Sequence, residues 1–113
     1  MFDIQITVPN SRVKDILSTA VEGGVNYWCR ISSEHKLPYD FDYYKEDWLL
    51  KITDTESGND EVYEMRISNL KTGLQLFQKD YPERFNSFIT DYYDAEDADV
   101  FFQLCLFGKV IYG

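Results

Sequence analysis

The sequence predicts an α+β fold, a small antiparallel sheet with helices packed on one face, from three observations. Short stretches alternate apolar and polar residues with a period of two. Other stretches space their apolar residues three and four apart, as one stripe of a helix requires. The order is strand, helix, three strands, then helices, which segregates the two patterns instead of alternating them as parallel β/α units would.

Each element follows from local spacing. Phe2, Ile4, Ile6 and Val8 alternate with Asp3, Gln5 and Thr7, a strand that Pro9 and Asn10 stop. From Ser11, Val13, Ile16, Leu17, Ala20 and Val21 line a helix, and Gly23 is placed to cap its end. Tyr27, Cys29 and Ile31 predict a second strand over 25–32. Residues 34–47 carry Pro38 and no period, and read as a long loop. Strands over 48–54 and 61–67 form a hairpin around Ser57, Gly58 and Asn59. Ser68 is the expected N-cap of a helix with Leu70, Leu74, Phe77 and Tyr81 on its apolar stripe and Gly73 as a tolerated weak point. Pro82 opens a further helix carrying Phe85, Phe88, Ile89 and Tyr92. Asp94, with Glu96 and Asp97 in the first turn, starts a last helix that buries Ala98, Phe101, Phe102, Cys105 and Leu106 and stops at Gly108. Residues 110–112 read as a final strand or a plug into the core.

At 113 residues the chain has the size of a single domain, expected to span 1–113. Seventeen per cent aromatic residues argue against disorder. A formal charge of −9 repels phosphate backbones and anionic lipid, so direct nucleic-acid and membrane binding are not expected. The charge fits either plain solubility or a partner with a basic surface. Cys29 and Cys105 lack CxxC spacing and suit a reducing, cytoplasmic setting. With one histidine and two distant cysteines, no zinc site is expected, and no other cofactor either.

His35 lies beside Ser32, Ser33 and Glu34, but a catalytic triad is assembled from separated positions, so a surface loop is the simpler reading and no catalytic residue is assigned. Two acidic groups stand out. Asp40, Asp42, Glu46 and Asp47 are interleaved with Tyr39, Phe41, Tyr43, Tyr44 and Trp48, a composition able to engage arginine by charge and ring. Asp91, Asp94, Glu96, Asp97 and Asp99 have no basic residue between Arg84 and Lys109, although capping accounts for Asp94, Glu96 and Asp97. Partner-binding candidates are therefore Asp40, Asp42, Tyr43, Tyr44, Glu46, Asp47, Asp91, Asp94, Glu96 and Asp97. The alternative is a small-molecule pocket lined by Gly23, Gly24, Asn26, Tyr27 and Trp28, with Arg30 and Lys51 as the nearby cations.

The segments Glu-Gly-Gly-Val-Asn-Tyr-Trp (22–28), Ile-Ser-Asn-Leu-Lys-Thr-Gly-Leu (67–74) and 94–113, from Asp-Ala-Glu-Asp-Ala-Asp to Gly-Lys-Val-Ile-Tyr-Gly, together resemble a family of small phage and prophage proteins of uncharacterised activity. The likeness spans nearly the whole chain, with Val25 and Lys109 where family members often carry Ser and Glu. It implies a bacteriophage or mobile-element origin and residence in the host bacterial cytoplasm. Small acidic phage proteins without enzyme signatures are frequently inhibitors of host systems. The expected function is thus a non-enzymatic inhibitor, of anti-CRISPR or other anti-defence type, that binds a nucleic-acid-handling host protein. A nucleotide-sequestering protein is the alternative, and a second copy of the chain is an open partner.

Overall fold

Val13, Ile16, Leu17 and Ala20 all turn inward, which is why the segment from Asn10 folds as a helix against the core. This helix, α1 (Asn10–Thr19), belongs to a computed structural model that describes residues 6–32 and 49–113. α1 runs on into a π-helical turn, Ala20–Gly24, closed by the Val25 N–H on the Ala20 carbonyl at 3.1 Å. Gly23 therefore does not end the helix in a left-handed conformation. The requirement for glycine falls on Gly24, where a Cβ would sit 2.8 Å from the Ala95 carbonyl oxygen. The expected first strand is only partly described. Residues 6–9 are in no strand or helix, and residues 2–5 lie outside the described residues.

Three described strands form one antiparallel sheet in the order β1 (Cys29–Ser32), β2 (Leu49–Asp54), β3 (Val62–Arg66). The second expected strand begins four residues late. The N–H groups of Trp28 and Cys29 bond back to the Val25 carbonyl, so 25–28 is a turn despite its alternating pattern. The hairpin matches expectation, with Leu50 opposite Met65 and Ile52 opposite Tyr63. Asp54 closes its turn by accepting the Glu56 and Ser57 N–H groups at 2.9 and 3.0 Å, and Gly58 takes φ 85°. Cys29, Leu50, Ile52, Asp54 and Met65 are buried on the inner face, whereas Arg30, Ser32, Lys51 and Glu64 are exposed on the outer one.

α2 (Ile67–Asp80) starts directly after β3 with Arg66 as N-cap, the Asn69 carboxamide oxygen accepting the Arg66 N–H at 2.8 Å. Ser68 is already inside the helix and does not cap it. Gly73 is the contact point with the last helix, because a Cβ there would lie 2.1 Å from the Cys105 sulfur. A position expected to be a weak point is thus one where two helices meet closely. α3 (Pro82–Ile89) begins at proline as expected, with Tyr81 between the two helices and not inside α2. It ends in a Schellman-like turn: the Tyr92 N–H reaches the Ser87 carbonyl at 2.8 Å, with Asp91 left-handed at φ 65°. Tyr92, expected on the apolar stripe, is instead 86% exposed.

α4 (Ala95–Phe107) is the central element. Every residue from Asp97 to Cys105 is buried, so α4 has no solvent face along its middle and Leu106 is only half-buried. Phe101 stacks on Phe88 with centroids 6.3 Å apart, and Phe77 meets Phe85 edge-on at 5.9 Å. Each such ring contributes about 1.5–3 kcal/mol by burial. Gly108 ends α4 at φ 74°. Residues 110–112 form no strand; they fold back over the core, which the expectation of a plug describes.

Candidate functional site

Asp99 lies in the buried middle of α4 with 6% of its surface exposed. Its Oδ1 accepts from Trp28 Nε1 and from Gln103 Nε2, each at 2.9 Å, and its Oδ2 from the Tyr27 hydroxyl. A buried carboxylate is tolerated only when such donors replace its water. Burial first, and then the bond to Asp99 and its charge, hold the Tyr27 phenol well above the ordinary tyrosine value.

Gln103, one turn on and fully buried, spends its other amide capacity on the segment after α4. Its Oε1 accepts the N–H groups of Ile111 and Tyr112 at 2.8 and 2.9 Å, and its Nε2 also donates to the Tyr112 carbonyl at 3.0 Å. The Tyr112 ring stacks on Trp28 at 5.2 Å and meets Phe107 edge-on. Its hydroxyl donates to Asp54 Oδ2 at 2.5 Å, which pushes that phenol up to about 12. One polar chain thus links the turn at Tyr27, α4, residues 111–112 and the hairpin. Every member is satisfied, so its direct effect is to rigidify the fold.

The start of α4 has a different chemistry. Asp94 caps the helix by accepting the Asp97 N–H at 2.9 Å, and Asp97 returns a bond from the Asp94 N–H at 3.1 Å. These backbone bonds, foremost that from Asp97, pull the Asp94 carboxyl below its usual value. Arg84 reaches Asp97 at 2.7 Å and Glu96 at 3.2 Å, and Arg12 lies 3.8 Å from Asp91. The sequence read these acids as unneutralised because their basic partners lie on other helices. Asp97 is 7% exposed and faces inward, so it offers nothing to a partner. Asp91, Asp94, Glu96 and Tyr92 remain at the surface together.

Of the other candidates, Asp40, Asp42, Tyr43, Tyr44, Glu46 and Asp47 lie outside the described residues, as does His35. Of the 23–28 group, Gly24 packs on α4, Trp28 is buried and Tyr27 is tied to Asp99. Asn26 borders an open cleft of about 560 Å³, with Val21, Cys29, Arg30, Ile31 and Thr55. The Cys29 thiol on its floor is pushed up to about 12, by burial and then by the charges of Asp99 and Asp54, and is a poor nucleophile. The sequence pattern groups Asp99 with the surface acids and marks none of Gln103, Asp54 and Tyr112 as a site. The available signal was two polar residues one helical turn apart, Asp99 and Gln103, inside an otherwise apolar run.

Among the described residues, no group of three His, Cys, Asp or Glu is arranged to hold a metal ion, and no helix is long and apolar enough to cross a membrane. The α+β class is as far as fold and site define the protein. No family model, curated protein or solved structure matches the chain.

Proposed function

We propose that the chain is a non-enzymatic inhibitor carried by phage. It binds a basic, nucleic-acid-handling surface of a host protein in the bacterial cytoplasm, in the manner of anti-CRISPR and other anti-defence proteins. The observation that carries this reading is the exposed knuckle between α3 and α4. There Tyr92 projects almost fully into solvent beside the carboxylates Asp91, Asp94 and Glu96. An aromatic anchor ringed by acids suits an arginine-bearing partner. The acidic and tyrosine-rich stretch 39–48 would extend the surface.

The test is capture from bacterial lysate at low and high salt, followed by an assay of the captured protein's nucleic-acid binding. Charge reversal at Asp91 and Glu96 together with Tyr92→Ala should abolish capture and restore nucleic-acid binding. Asp94 and Asp97 are left intact because their capping role would confound the result. Capture that ignores these changes and reversal at Asp40 and Asp42 would sink the proposal.

The cleft bordered by Asn26, Arg30 and Thr55 favours a second reading, sequestration of a small nucleotide-like anion. Native mass spectrometry of protein purified from infected cells separates the two, because only the second predicts a co-purifying ligand lost on Arg30→Ala.

A further inference from the structure

The segment 109–113 belongs to no helix or strand, yet it is held like a bound ligand. Gly108, in the left-handed conformation, separates it from α4. Its backbone is read by a side chain: the Gln103 carboxamide takes two N–H groups and the carbonyl of residues 111–112. The N–H and carbonyl of Tyr112 are gripped as a pair by one carboxamide, and the Ile111 N–H converges on the same oxygen as a curled backbone allows, so a buried amide uses every capacity on this segment. Val110 packs on the core, and Tyr112 lies against both Trp28 and Phe107, which also touch each other, with its hydroxyl on the buried carboxylate of Asp54. Ile111, between these bonds, points half into solvent. Both Gln103 and Asp54 are pre-positioned without the segment, Gln103 by Asp99 and Asp54 by the Glu56 and Ser57 N–H groups.

We propose that Gln103, Asp54, Trp28 and Phe107 form a peptide-binding groove for a segment carrying a tyrosine, filled in cis by residues 110–113 and, when that segment is weakened, taken in trans by the same segment of a second copy of the chain. The short link through Gly108 gives the cis segment a high effective concentration, so it excludes competitors until it is weakened. The groove then accepts a free segment, because among the described residues the ring and hydroxyl contacts of Tyr112 are made by residues outside 109–113.

The probe is a fluorescent peptide with the sequence Gly-Lys-Val-Ile-Tyr-Gly, titrated by anisotropy into the whole chain. Wild type should bind it at least about tenfold more weakly than Tyr112→Ala, whose own anchor is gone. A peptide with alanine for tyrosine should bind neither. The same peptide should raise the melting temperature of Tyr112→Ala and leave wild type unchanged. If Tyr112→Ala shows no cooperative melt, Tyr112→Phe, which keeps the ring stack, serves instead with a smaller gain. A folded variant that binds the peptide no better than wild type overturns the groove. Mixing Tyr112→Ala with Gln103→Leu, one with a receptive groove and one with an intact segment, should give a dimer by sedimentation. Its absence, with peptide binding intact, overturns the second copy as the source.

Discussion

Asp99 in the middle of α4 and Asp91, Asp94 and Glu96 around its start draw on the same residue types, carboxylates beside tyrosines, in opposite surroundings. Around Asp99, Tyr27, Trp28 and Gln103 turn their donors inward onto one carboxylate. At the start of α4 the donors are backbone N–H groups and arginines at the rim, and Tyr92 turns outward. The first arrangement turns its donors onto a carboxylate of its own; the second leaves a ring and several carboxylate oxygens at the surface. What separates structure from a binding surface here is the direction of the donors, not composition.

The largest expected effect lies in the inner cluster. Asp99→Ala orphans the Trp28 and Gln103 N–H groups and opens a void, at a cost of about 3–5 kcal/mol in urea denaturation, a large part of ordinary domain stability. A loss under about 1 kcal/mol would mean that the cluster is not structural. The cluster also predicts an alkaline signature. Tyr27 and Tyr112 are held above the ordinary tyrosine value of 10.0, Tyr112 at about 12. A raised phenol favours the protonated folded form. Its contribution is full below about pH 10 and lost as pH climbs through about 12. The melting temperature should fall over that window, and less steeply in Tyr27→Phe.

Next in size is the Gly23-Gly24 pair, which sharpens the contrast between space and conformation. Gly24→Ala drives a Cβ into the Ala95 carbonyl and should cost about 1–3 kcal/mol. Gly23→Ala meets nothing within 4 Å and should stabilise by about 0.4–1 kcal/mol. Equal effects at the two positions would contradict the packing of the π-helical turn on α4. Thermal melts of the two variants decide it.

This pair also shows how far the sequence could be read. The helical stripes, the hairpin turn, Pro82, Asp94 and Gly108 are local signals, each set by neighbours within a turn, and all were legible. Gly24 was visible as glycine, but its reason lies far along the chain, at Ala95 on α4. The same holds for Arg84, which neutralises Glu96 and Asp97 from another helix, and for Trp28, whose alternation mimics a strand while its indole serves Asp99. The Asp99 and Gln103 cluster was missed because a polar residue inside an apolar run declares itself buried only once its donors are known. Of the outer surface, the acids were legible. The outward turn of Tyr92 was not, because its spacing from Phe85, Phe88 and Ile89 continues the apolar stripe past the point where Asp91 ends the helix.

The smallest effect on stability should carry the largest on binding, at Asp91. Its φ of 65° is a left-handed conformation that glycine adopts more freely than aspartate, although aspartate is among the L residues that tolerate it best. Asp91→Gly should therefore leave stability unchanged or raise it by up to about 1 kcal/mol, once the weak ion pair with Arg12 is set against the relieved backbone. If the knuckle is a binding surface, the same change removes a carboxylate beside Tyr92 and should weaken capture of the host partner. Tyr92→Ala, within about 0.5 kcal/mol of wild type in stability, should do so more strongly. A variant more stable than wild type yet weaker in binding would mark the carboxylate as kept for contact rather than for folding. Unchanged binding in both variants would return the knuckle to a helix end that happens to be acidic.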